Sequence, residues 1–272
     1  MLKPIVKWAG GKTRLYKELI EFIPDNFNNY HEPFLGGGAT LFNLANEDLL
    51  EKEIYINDIN EDLINLYLVV RDNLEELLEL TRQTRIDNKT YLEIRSWDRD
   101  PNYDKLDPIK KAFRFIYLNK TCFNGLYRHN SSGKFNVPFG NYKKVTILDI
   151  TYIYAIRDFL KKCTITNVNF MDTLKNVKEN DLVYLDPPYH PISTTSSFTS
   201  YWKDNFKEKE QHLVKEYFEE AKKIKAHVIL SNSYCPFIQE LYKDYNQHEV
   251  TIFRLIGSKS TSRVEIKELI IT

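Results

Sequence analysis

An acidic residue, two prolines and a tyrosine stand together in the stretch Asp186-Pro187-Pro188-Tyr189. They follow the apolar run Leu182–Leu185, which is typical of a buried strand. Because proline fixes φ and has no N–H, the stretch predicts a rigid loop that offers a carboxylate and backbone carbonyls beside a flat ring. Such a loop suits a planar ligand with an amino group, such as an adenine base. A strand-ending turn with a chance tyrosine is the alternative interpretation, since four residues are a short motif.

A glycine-rich segment, Glu32–Gly38, follows an earlier predicted strand and opens a helix. Its three consecutive glycines allow a tight turn and a close approach of the backbone to a ligand. Asp58 ends the next predicted strand, where a carboxylate can accept hydrogen bonds from ribose hydroxyls. Together they predict a site for a nucleoside-bearing cofactor, but they do not distinguish NAD from S-adenosylmethionine. The structural alternative is an ordinary turn and a solvated aspartate.

The segment Lys7–Thr13 ends in Gly-Lys-Thr and so resembles the end of a phosphate-binding P-loop. Val6 stands where that motif requires its first glycine, so nucleotide hydrolysis is rejected. We interpret the segment as a glycine-rich cap to a helix, which presents Trp8 and Lys12 to a ligand.

The chain has no net charge, but its basic residues are concentrated in one interval. Between Lys105 and Val145 there are nine Lys or Arg residues and one acidic residue. A local positive field of this kind attracts polyanions. Five aromatic residues are interleaved in its second half, at Phe123, Tyr127, Phe135, Phe139 and Tyr142. Because bases stack on aromatic rings and phosphates pair with basic groups, this half predicts DNA contact.

The first half of the same interval is less specific. Lys110, Lys111 and Arg114 belong to a predicted helix, and a solvated basic helix face explains them as well as a DNA contact does.

Composition narrows the classes of protein to which the chain can belong. The three cysteines are widely spaced, which predicts a reducing cytoplasm and neither a disulfide framework nor a metal site. We expect no bound metal. No apolar run reaches the roughly 18 residues of a membrane span, and the first residues do not form a secretory signal.

Apolar runs and amphipathic segments alternate along the chain, which predicts an α/β fold with a mostly parallel sheet. Five strands are predicted, near Asn29–Phe34, Ile54–Asn57, Thr164–Phe170, Leu182–Asp186 and His227–Ser231. Helices are predicted over Thr13–Ile23, Thr40–Leu50 and Lys207–Lys225. Two closing β runs, Glu249–Ile256 and Val264–Thr272, predict an antiparallel pair at the edge of the sheet.

One interval interrupts this alternation, because residues 61–160 are mostly helical in pattern and contain the basic interval. The simplest organisation is a main domain formed by residues 1–60 and 161–272, with a helical subdomain inserted between its two parts.

Six motifs then stand in the order of a known family. They are KWAGGK (Lys7–Lys12), EPFLGGG (Glu32–Gly38), INDIN (Ile56–Asn60), FNGLYR (Phe123–Arg128), FNVPFG (Phe135–Gly140) and DPPY (Asp186–Tyr189). In these motifs the chain resembles the Dam-type (D12 class, alpha group) N6-adenine-specific DNA methyltransferases, and it is similar to the GATC adenine methylases of restriction systems. The resemblance covers nearly the whole chain. It implies a class I S-adenosylmethionine-dependent methyltransferase fold, with a Rossmann-like sheet and a target-recognition insert at 61–160.

The resemblance also implies residue roles. The catalytic positions are Asp186, Pro187 and Tyr189. The positions that bind S-adenosylmethionine are Trp8, Lys12, Glu32, Phe34, Gly36, Gly38, Asp58, Asp172 and Asp186. The DNA-binding positions are Lys7, Phe123, Asn124, Leu126, Arg128 and Pro138. Lys7 corresponds to a guanine contact, Phe123 to a wedge beside the flipped base, and the loop Lys259–Arg263 to a segment near the DNA backbone.

The implied reaction moves a methyl group from S-adenosylmethionine to N6 of adenine in double-stranded DNA, within GATC, and leaves S-adenosylhomocysteine as the second product. The implied route is base flipping and direct displacement, without a metal. The implied location is the cytoplasm, for an enzyme encoded by a prokaryote or a phage. A restriction endonuclease is a possible partner with which no stable complex is expected. Three alternatives stay open: amino-group methylation of RNA, a DNA-binding module that uses the cofactor only structurally, and an NAD-dependent oxidoreductase.

Overall fold

The computed structural model describes residues 1–8, 15–142, 144–191, 206–255 and 263–272, with the backbone alone for 252–255 and 263–264. A seven-stranded sheet runs through this part of the chain. Its strands are β1 (Tyr30–Glu32), β2 (Ile54–Asn57), β3 (Cys163–Thr166), β4 (Leu182–Leu185), β5 (His227–Ser233), β6 (Gln247–Leu255) and β7 (Arg263–Ile271). The strand order is β3-β2-β1-β4-β5-β7-β6.

The first five strands are parallel, and β7 pairs antiparallel with both β5 and β6. The prediction of an α/β fold with an antiparallel pair at the edge is therefore confirmed. From β1 the chain moves outward to β3 and then returns to the other side of β1 to form β4. Ligands of open α/β sheets bind at such a reversal, outside the carboxyl ends of the two central strands.

Ten α-helices are described. They are α1 (Tyr16–Leu19), α2 (Ala39–Asn46), α3 (Glu61–Asp72), α4 (Leu74–Gln83), α5 (Asn88–Ser96), α6 (Pro108–Thr121), α7 (Ile150–Leu160), α8 (Phe170–Thr173), α9 (Glu208–Lys223) and α10 (Pro236–Leu241). Short 3₁₀ turns follow several of them, including Ile20–Phe22 and Phe123–Gly125. Within the described residues, no helix is both long enough and apolar enough to cross a membrane.

Both faces of the sheet are buried, which explains the continuous apolar run of β4. Leu182 and Tyr184 lie in one hydrophobic cluster with residues of α2 to α7, and Val183 and Leu185 lie in another with residues of α9 and α10. Successive side chains of a strand point to opposite faces, so a strand covered on both sides needs apolar residues at every position.

Several predicted boundaries differ from the structure, and three elements illustrate this. The strand predicted over Thr164–Phe170 ends at Thr166, because the Asn169 side chain accepts a hydrogen bond from Met171 N (3.0 Å) and starts α8. The helix predicted over Thr40–Leu50 spans Ala39–Asn46. Of the helix predicted over Thr13–Ile23, α1 and the following 3₁₀ turn cover 16–22, and residues 13–14 lie outside the described part.

The helices between β2 and β3 include α3 to α7, and the described residues of 61–160 form no strand longer than an isolated bridge. The segment after α6 folds back on itself through two such bridges, Cys122 with Phe139 and His129 with Phe135. This segment, residues 122–142, is called the recognition segment below.

A buried ion pair anchors the recognition segment to the helices beneath it. Arg114 Nη2 on α6 lies 2.8 Å from Asp98 Oδ2, and both side chains are almost fully buried. Phe135 N donates to the same carboxylate oxygen at 2.7 Å. Arg114 also donates to the carbonyls of Ile94 and Arg95, at 3.1 and 2.9 Å. The interpretation of Arg114 as part of a solvated basic face is therefore wrong, because Asp98 and these carbonyls bind its guanidinium in the interior of the protein.

We expect Asp98→Ala to lower the free energy of unfolding by about 3–5 kcal/mol, because it leaves the Arg114 charge buried without its carboxylate. Urea denaturation followed by circular dichroism measures the loss. Asp104→Ala, which removes an exposed carboxylate of the same region, is the control and should change stability by less than about 0.5 kcal/mol. Equal stabilities of the two variants would contradict the anchoring role of Asp98.

Candidate active site

The loops that follow β1 and β2 are joined by one carboxylate. Asp58, directly after β2, accepts a hydrogen bond from Gly36 N at Oδ2 (2.8 Å) and from Asn60 N at Oδ1 (2.9 Å). Asn60 in turn caps α3, since its side chain accepts from Leu63 N (3.1 Å). Asp58 remains partly exposed, and a carboxylate has about four lone-pair sites, so it can still accept from a ligand hydroxyl.

The glycine loop after β1 requires glycine at two positions. Gly36 and Gly38 have φ of +51° and +69°, a region that side chains disfavour. A Cβ at Gly36 would also lie 3.0 Å from Trp8 Cδ1, and one at Gly37 would lie 3.0 Å from Trp8 Cβ. The Trp8 side chain therefore packs directly on this loop.

Three carboxyl groups meet where the loops after β1, β2 and β4 converge. Burial raises the pKa of Glu32 well above its usual range, the hydroxyl of Tyr30 opposes the rise by donating to Oε2 (3.0 Å), and the nearby charges of Asp186 and Asp58 add to it. Burial also raises the pKa of Asp58, against the hydrogen bonds from backbone N–H groups that lower it. Burial and mutual repulsion thus disfavour the charged forms of these carboxyl groups, and a positively charged ligand would stabilise them.

Apolar side chains adjoin the carboxyl groups. Ile59 follows Asp58 and is 45% exposed, and Val168 after β3 is 37% exposed. The backbones of these two loops are held together, because Asn57 Oδ1 accepts from Val168 N at 3.0 Å. Phe34 lies 4.9 Å from Phe170, ring centre to ring centre. Sequence reasoning missed Ile59 and Val168, although an apolar residue directly after a strand-end aspartate was a usable signal.

Asp172, another of the proposed cofactor positions, is exposed on α8, two residues after Phe170. The structure thus brings Trp8, Glu32, Phe34, Gly36, Gly38, Asp58 and Asp186 to the carboxyl end of the parallel strands, with Asp172 at the margin. Lys12 and residues 259–262 of the Lys259–Arg263 loop lie outside the described residues.

The Asp186–Tyr189 loop leaves the carboxyl end of β4. Asp186 and Tyr189 are partly exposed, Pro187 is buried and Pro188 is exposed. The Tyr189 hydroxyl donates to Glu268 Oε2 on β7 at 2.9 Å. Burial raises the pKa of the Tyr189 phenol well above its usual range, and the charges of Asp186 and Glu268 add to the rise. The phenol therefore keeps its proton, and this hydrogen bond fixes the far end of the ring.

The second set of predicted residues, those proposed to bind DNA, lies on an exposed face. All six proposed DNA-binding residues are exposed: Lys7, Phe123, Asn124, Leu126, Arg128 and Pro138. Phe123 N donates to Pro138 O at 2.9 Å, which brings the two halves of the recognition segment together. Lys7 lies on the same face, because its side chain packs closely on Gly125. A Cβ atom added to Gly125 would lie 2.8 Å from Lys7 Cβ.

Not every aromatic residue of the recognition segment is available to stack on a base. Tyr127 is 1% exposed and Phe135 is 0% exposed, so their predicted role in base stacking is wrong. Tyr127 lies inside because its hydroxyl donates to Asp62 Oδ2 (2.8 Å) and its ring stacks on Trp8, with ring centres 6.2 Å apart. Phe123, in contrast, is 46% exposed. Trp8 thus lies between the glycine loop and the recognition segment.

Among the described residues, no group of three or more His, Cys, Asp or Glu side chains is arranged to hold a metal ion.

Comparison with known proteins gives a consistent result. The model of the D12 class N6 adenine-specific DNA methyltransferase family matches residues 8–256. The chain is 41% identical to the Type II methyltransferase M1.LlaDCHI of Lactococcus lactis subsp. cremoris, over 100% of this chain and 95% of that protein. It is 38% identical to the Type II methyltransferase M.MjaIII of Methanocaldococcus jannaschii, over 99% and 98%. It is 30% identical to the DNA adenine methylase of Escherichia coli (strain K12), over 98% and 94%.

Proposed function

The chain belongs to the D12 class of N6-adenine-specific DNA methyltransferases, and from this premise we propose which residues carry the reaction and on which DNA sequence. The family implies S-adenosylmethionine as methyl donor and removes the NAD-dependent oxidoreductase alternative. We propose that the substrate is adenine in GATC of double-stranded DNA, that the adenine is flipped out of the duplex, and that Asp186, Pro187 and Tyr189 receive it.

The observation that carries this proposal is the meeting of three strand-end loops at one point. β1 lies between β2 and β4 in the parallel sheet, so the loops at the carboxyl ends of the three strands open side by side, and the charges of Asp186 and Asp58 both act on Glu32. A base held by the Asp186–Tyr189 loop would therefore lie next to a donor held by the other two loops. This proximity is what a direct transfer between the two requires.

The residues present fit S-adenosylmethionine. Its sulfonium and ammonium charges would stabilise the charged forms of the crowded carboxyl groups of Glu32, Asp58 and Asp186, and Asp58 can accept hydrogen bonds from its ribose. The loop containing Gly36 and Gly38 allows close approach of the methionine part. Ile59 and Val168, together with Phe34, offer apolar surface to the adenine ring, and Asp172 lies at that margin. When bound, the sulfonium would supply an electrophilic methyl group and leave as the neutral thioether of S-adenosylhomocysteine.

The chain's own residues would prepare the nucleophile. The amino group of adenine is a poor nucleophile, because its lone pair is delocalised into the ring. The Asp186 carboxylate and the Pro187 carbonyl can each accept a hydrogen bond from one of its N–H groups, which favours a pyramidal nitrogen with its lone pair directed at the methyl group. Once methylated, the nitrogen releases one of these two protons to solvent. Tyr189 offers its face to the flipped base. Rate enhancement then comes from positioning and electrostatics.

The recognition segment would help to flip the target adenine out of the duplex and toward the Asp186–Tyr189 loop. Flipping costs a few kcal/mol, which stacking and phosphate contacts offset. We assign Phe123 to the space left near the flipped base, Lys7 to a guanine, and Leu126, Arg128 and Pro138 to the outer base pairs, with Asn124 beside them. Their common exposure supports the assignment. It also supports residues 61–160 as the target-recognition insert, with 1–60 and 161–272 as the catalytic domain.

Relatives from restriction–modification systems suggest a cellular role. Two of the relatives above carry the name Type II methyltransferase. We propose that this chain protects DNA alongside a restriction endonuclease, without a stable complex between them.

We expect Asp186→Ala to remain folded and to bind GATC duplexes, but to transfer methyl groups at least about 10²–10³-fold more slowly, because one acceptor for the amino group is lost. Transfer of tritiated methyl groups to an oligonucleotide duplex measures the rate. Asp158→Ala, which removes an exposed carboxylate on α7, is the control and should transfer at the normal rate. Appreciable turnover by Asp186→Ala would refute the catalytic role.

We expect the two parts of the Tyr189 side chain to contribute separately. Tyr189→Ala removes the stacking surface, worth about 1–3 kcal/mol for a base, and should slow transfer about 10–100-fold. Tyr189→Phe keeps the ring and loses only the hydrogen bond to Glu268, worth about 1 kcal/mol, so it should slow transfer less than tenfold. Single-turnover transfer measures both. Equal losses in the two variants would argue against stacking.

We expect Arg128→Ala to reduce discrimination at one base pair of the site by about 1–3 kcal/mol, because a bidentate contact to a base edge is lost. Arg128 is held for this role, since its Nε donates to Asn136 Oδ1 at 3.1 Å. Arg128→Lys keeps the charge without the planar fork and should lose the same discrimination. Methyl transfer to duplexes with single base-pair changes measures it. Uniform weakening on all duplexes would make Arg128 a phosphate contact instead.

A further inference from the structure

Two fully buried side-chain amides lie behind the Asp186–Tyr189 loop, and the proposed reaction does not use them. Gln211 on α9 and Asn232 on β5 are both 0% exposed. Gln211 Nε2 donates to Pro188 O at 2.8 Å, and Asn232 Nδ2 donates to Gln211 Oε1 at 3.0 Å. Asn232 Oδ1 accepts from His190 N at 3.3 Å. The two amides therefore form a relay whose two ends hold the backbone on either side of Tyr189.

The loop needs such external support because of its prolines. Pro187 and Pro188 have no N–H, so neither residue can be held through a backbone donor. The backbone groups that remain for anchoring are carbonyls and the N–H groups that follow. The structure uses these groups: Gln211 binds the carbonyl of Pro188, and Ser233 Oγ donates to the carbonyl of His190 at 2.8 Å.

The anchor at Pro188 acts on the carbonyl of Pro187. The carbonyls of Pro187 and Pro188 belong to two successive peptide planes, which meet at the Cα atom of Pro188. The ring of Pro188 fixes its φ, so ψ is the soft rotation left between the planes. The hydrogen bond from Gln211 to Pro188 O restrains that rotation. It thereby restrains the direction in which the Pro187 carbonyl points.

We propose that Gln211 and Asn232 are positioning residues for methyl transfer, which hold the Pro187 carbonyl in the direction that accepts a hydrogen bond from the target amino group. The inference rests on the proposed function, because it gives the Pro187 carbonyl the role stated there. Neither amide touches the base. Each acts through the loop backbone.

The positioning role can be tested because each hydrogen bond of the relay has a fixed donor and a fixed acceptor. Gln211 must present its N–H group to Pro188 O and its carbonyl to Asn232. Gln211→Glu has nearly the same shape, but a carboxylate has no donor and would repel the Pro188 carbonyl. We expect its single-turnover methyl transfer to fall about 10–100-fold, as expected for a misplaced catalytic group. Its dissociation constants for a GATC duplex and for S-adenosylmethionine should stay within about twofold of the original protein.

The chain offers a chemically matched control. Gln247 Nε2 donates to the carbonyl of Gln239 at 2.9 Å, between β6 and α10, and Gln247→Glu removes this bond without touching the loop. It should transfer methyl groups at the original rate. A loss as large as that of Gln211→Glu would overturn the proposal, and so would a rate of Gln211→Glu within about threefold of the original protein.

Acid should partly rescue Gln211→Glu. A buried carboxyl group has a raised pKa, and once protonated it can donate a hydrogen bond again. The rate of Gln211→Glu divided by that of the original protein should therefore rise from about pH 8 to about pH 6. General damage to the fold would leave this ratio constant or lower it in acid, and that result would overturn the positioning role.

Amide hydrogen exchange measures how firmly the relay holds the loop backbone, and it does not depend on activity. The His190 N–H should exchange faster in Gln211→Glu than in Gln247→Glu, because the loss of the bond to Pro188 O releases the loop locally. Asn232→Asp loses the donor to Gln211, so it repeats the test if Gln211→Glu does not fold. Unchanged exchange at His190 would overturn the relay. If the original protein transfers no methyl groups, the proposed function fails, and the exchange result still decides whether the amides hold the loop.

Discussion

The parallel pairing of β1 with β4 is the constraint on which the whole site depends. These strands are neighbours in the sheet although about 150 residues separate them in the chain. A buried contact fixes the start of this pairing, because His31 Nε2 lies 2.8 Å from Asp181 Oδ2 and Asn29 N donates to Oδ1 at 3.0 Å. With the amino ends held together, the carboxyl ends open side by side. Loops from β1 and β4 therefore meet at one point and can bring two ligands into contact.

The chemistry of the Asp186–Tyr189 loop creates a second structural requirement. Prolines stiffen the loop and also remove the donors by which a backbone is normally held. The neighbouring elements provide replacements: Glu268 on β7 binds the Tyr189 hydroxyl, and Gln211 on α9 binds the Pro188 carbonyl. The antiparallel edge of the sheet and the helix α9 thus stabilise the loop as well as the core.

The sequence predicted the parts of the site that follow from local pattern. An apolar run followed by Asp-Pro-Pro-Tyr identifies a strand end, and the second half of the basic interval, predicted to contact DNA, contains exposed residues such as Phe123 and Arg128. It did not predict partners that are distant in the chain. Arg114 and Tyr127 look like surface residues until Asp98 and Asp62 are placed beside them. Gln211 likewise looks like an ordinary polar residue of an amphipathic helix, because only the fold brings the Pro188 carbonyl to it.

The central claim is that the loops at one edge of the sheet pass a methyl group to N6 of adenine in DNA. The most direct measurement is to express the chain in a host without DNA adenine methylation and to map modified bases by sequencing that host's DNA. The account predicts N6-methyladenine at GATC sites and none in cells with the empty vector. Methylation at other adenines would contradict the assigned site. DNA without N6-methyladenine, from cells that contain the folded protein, would contradict the account itself.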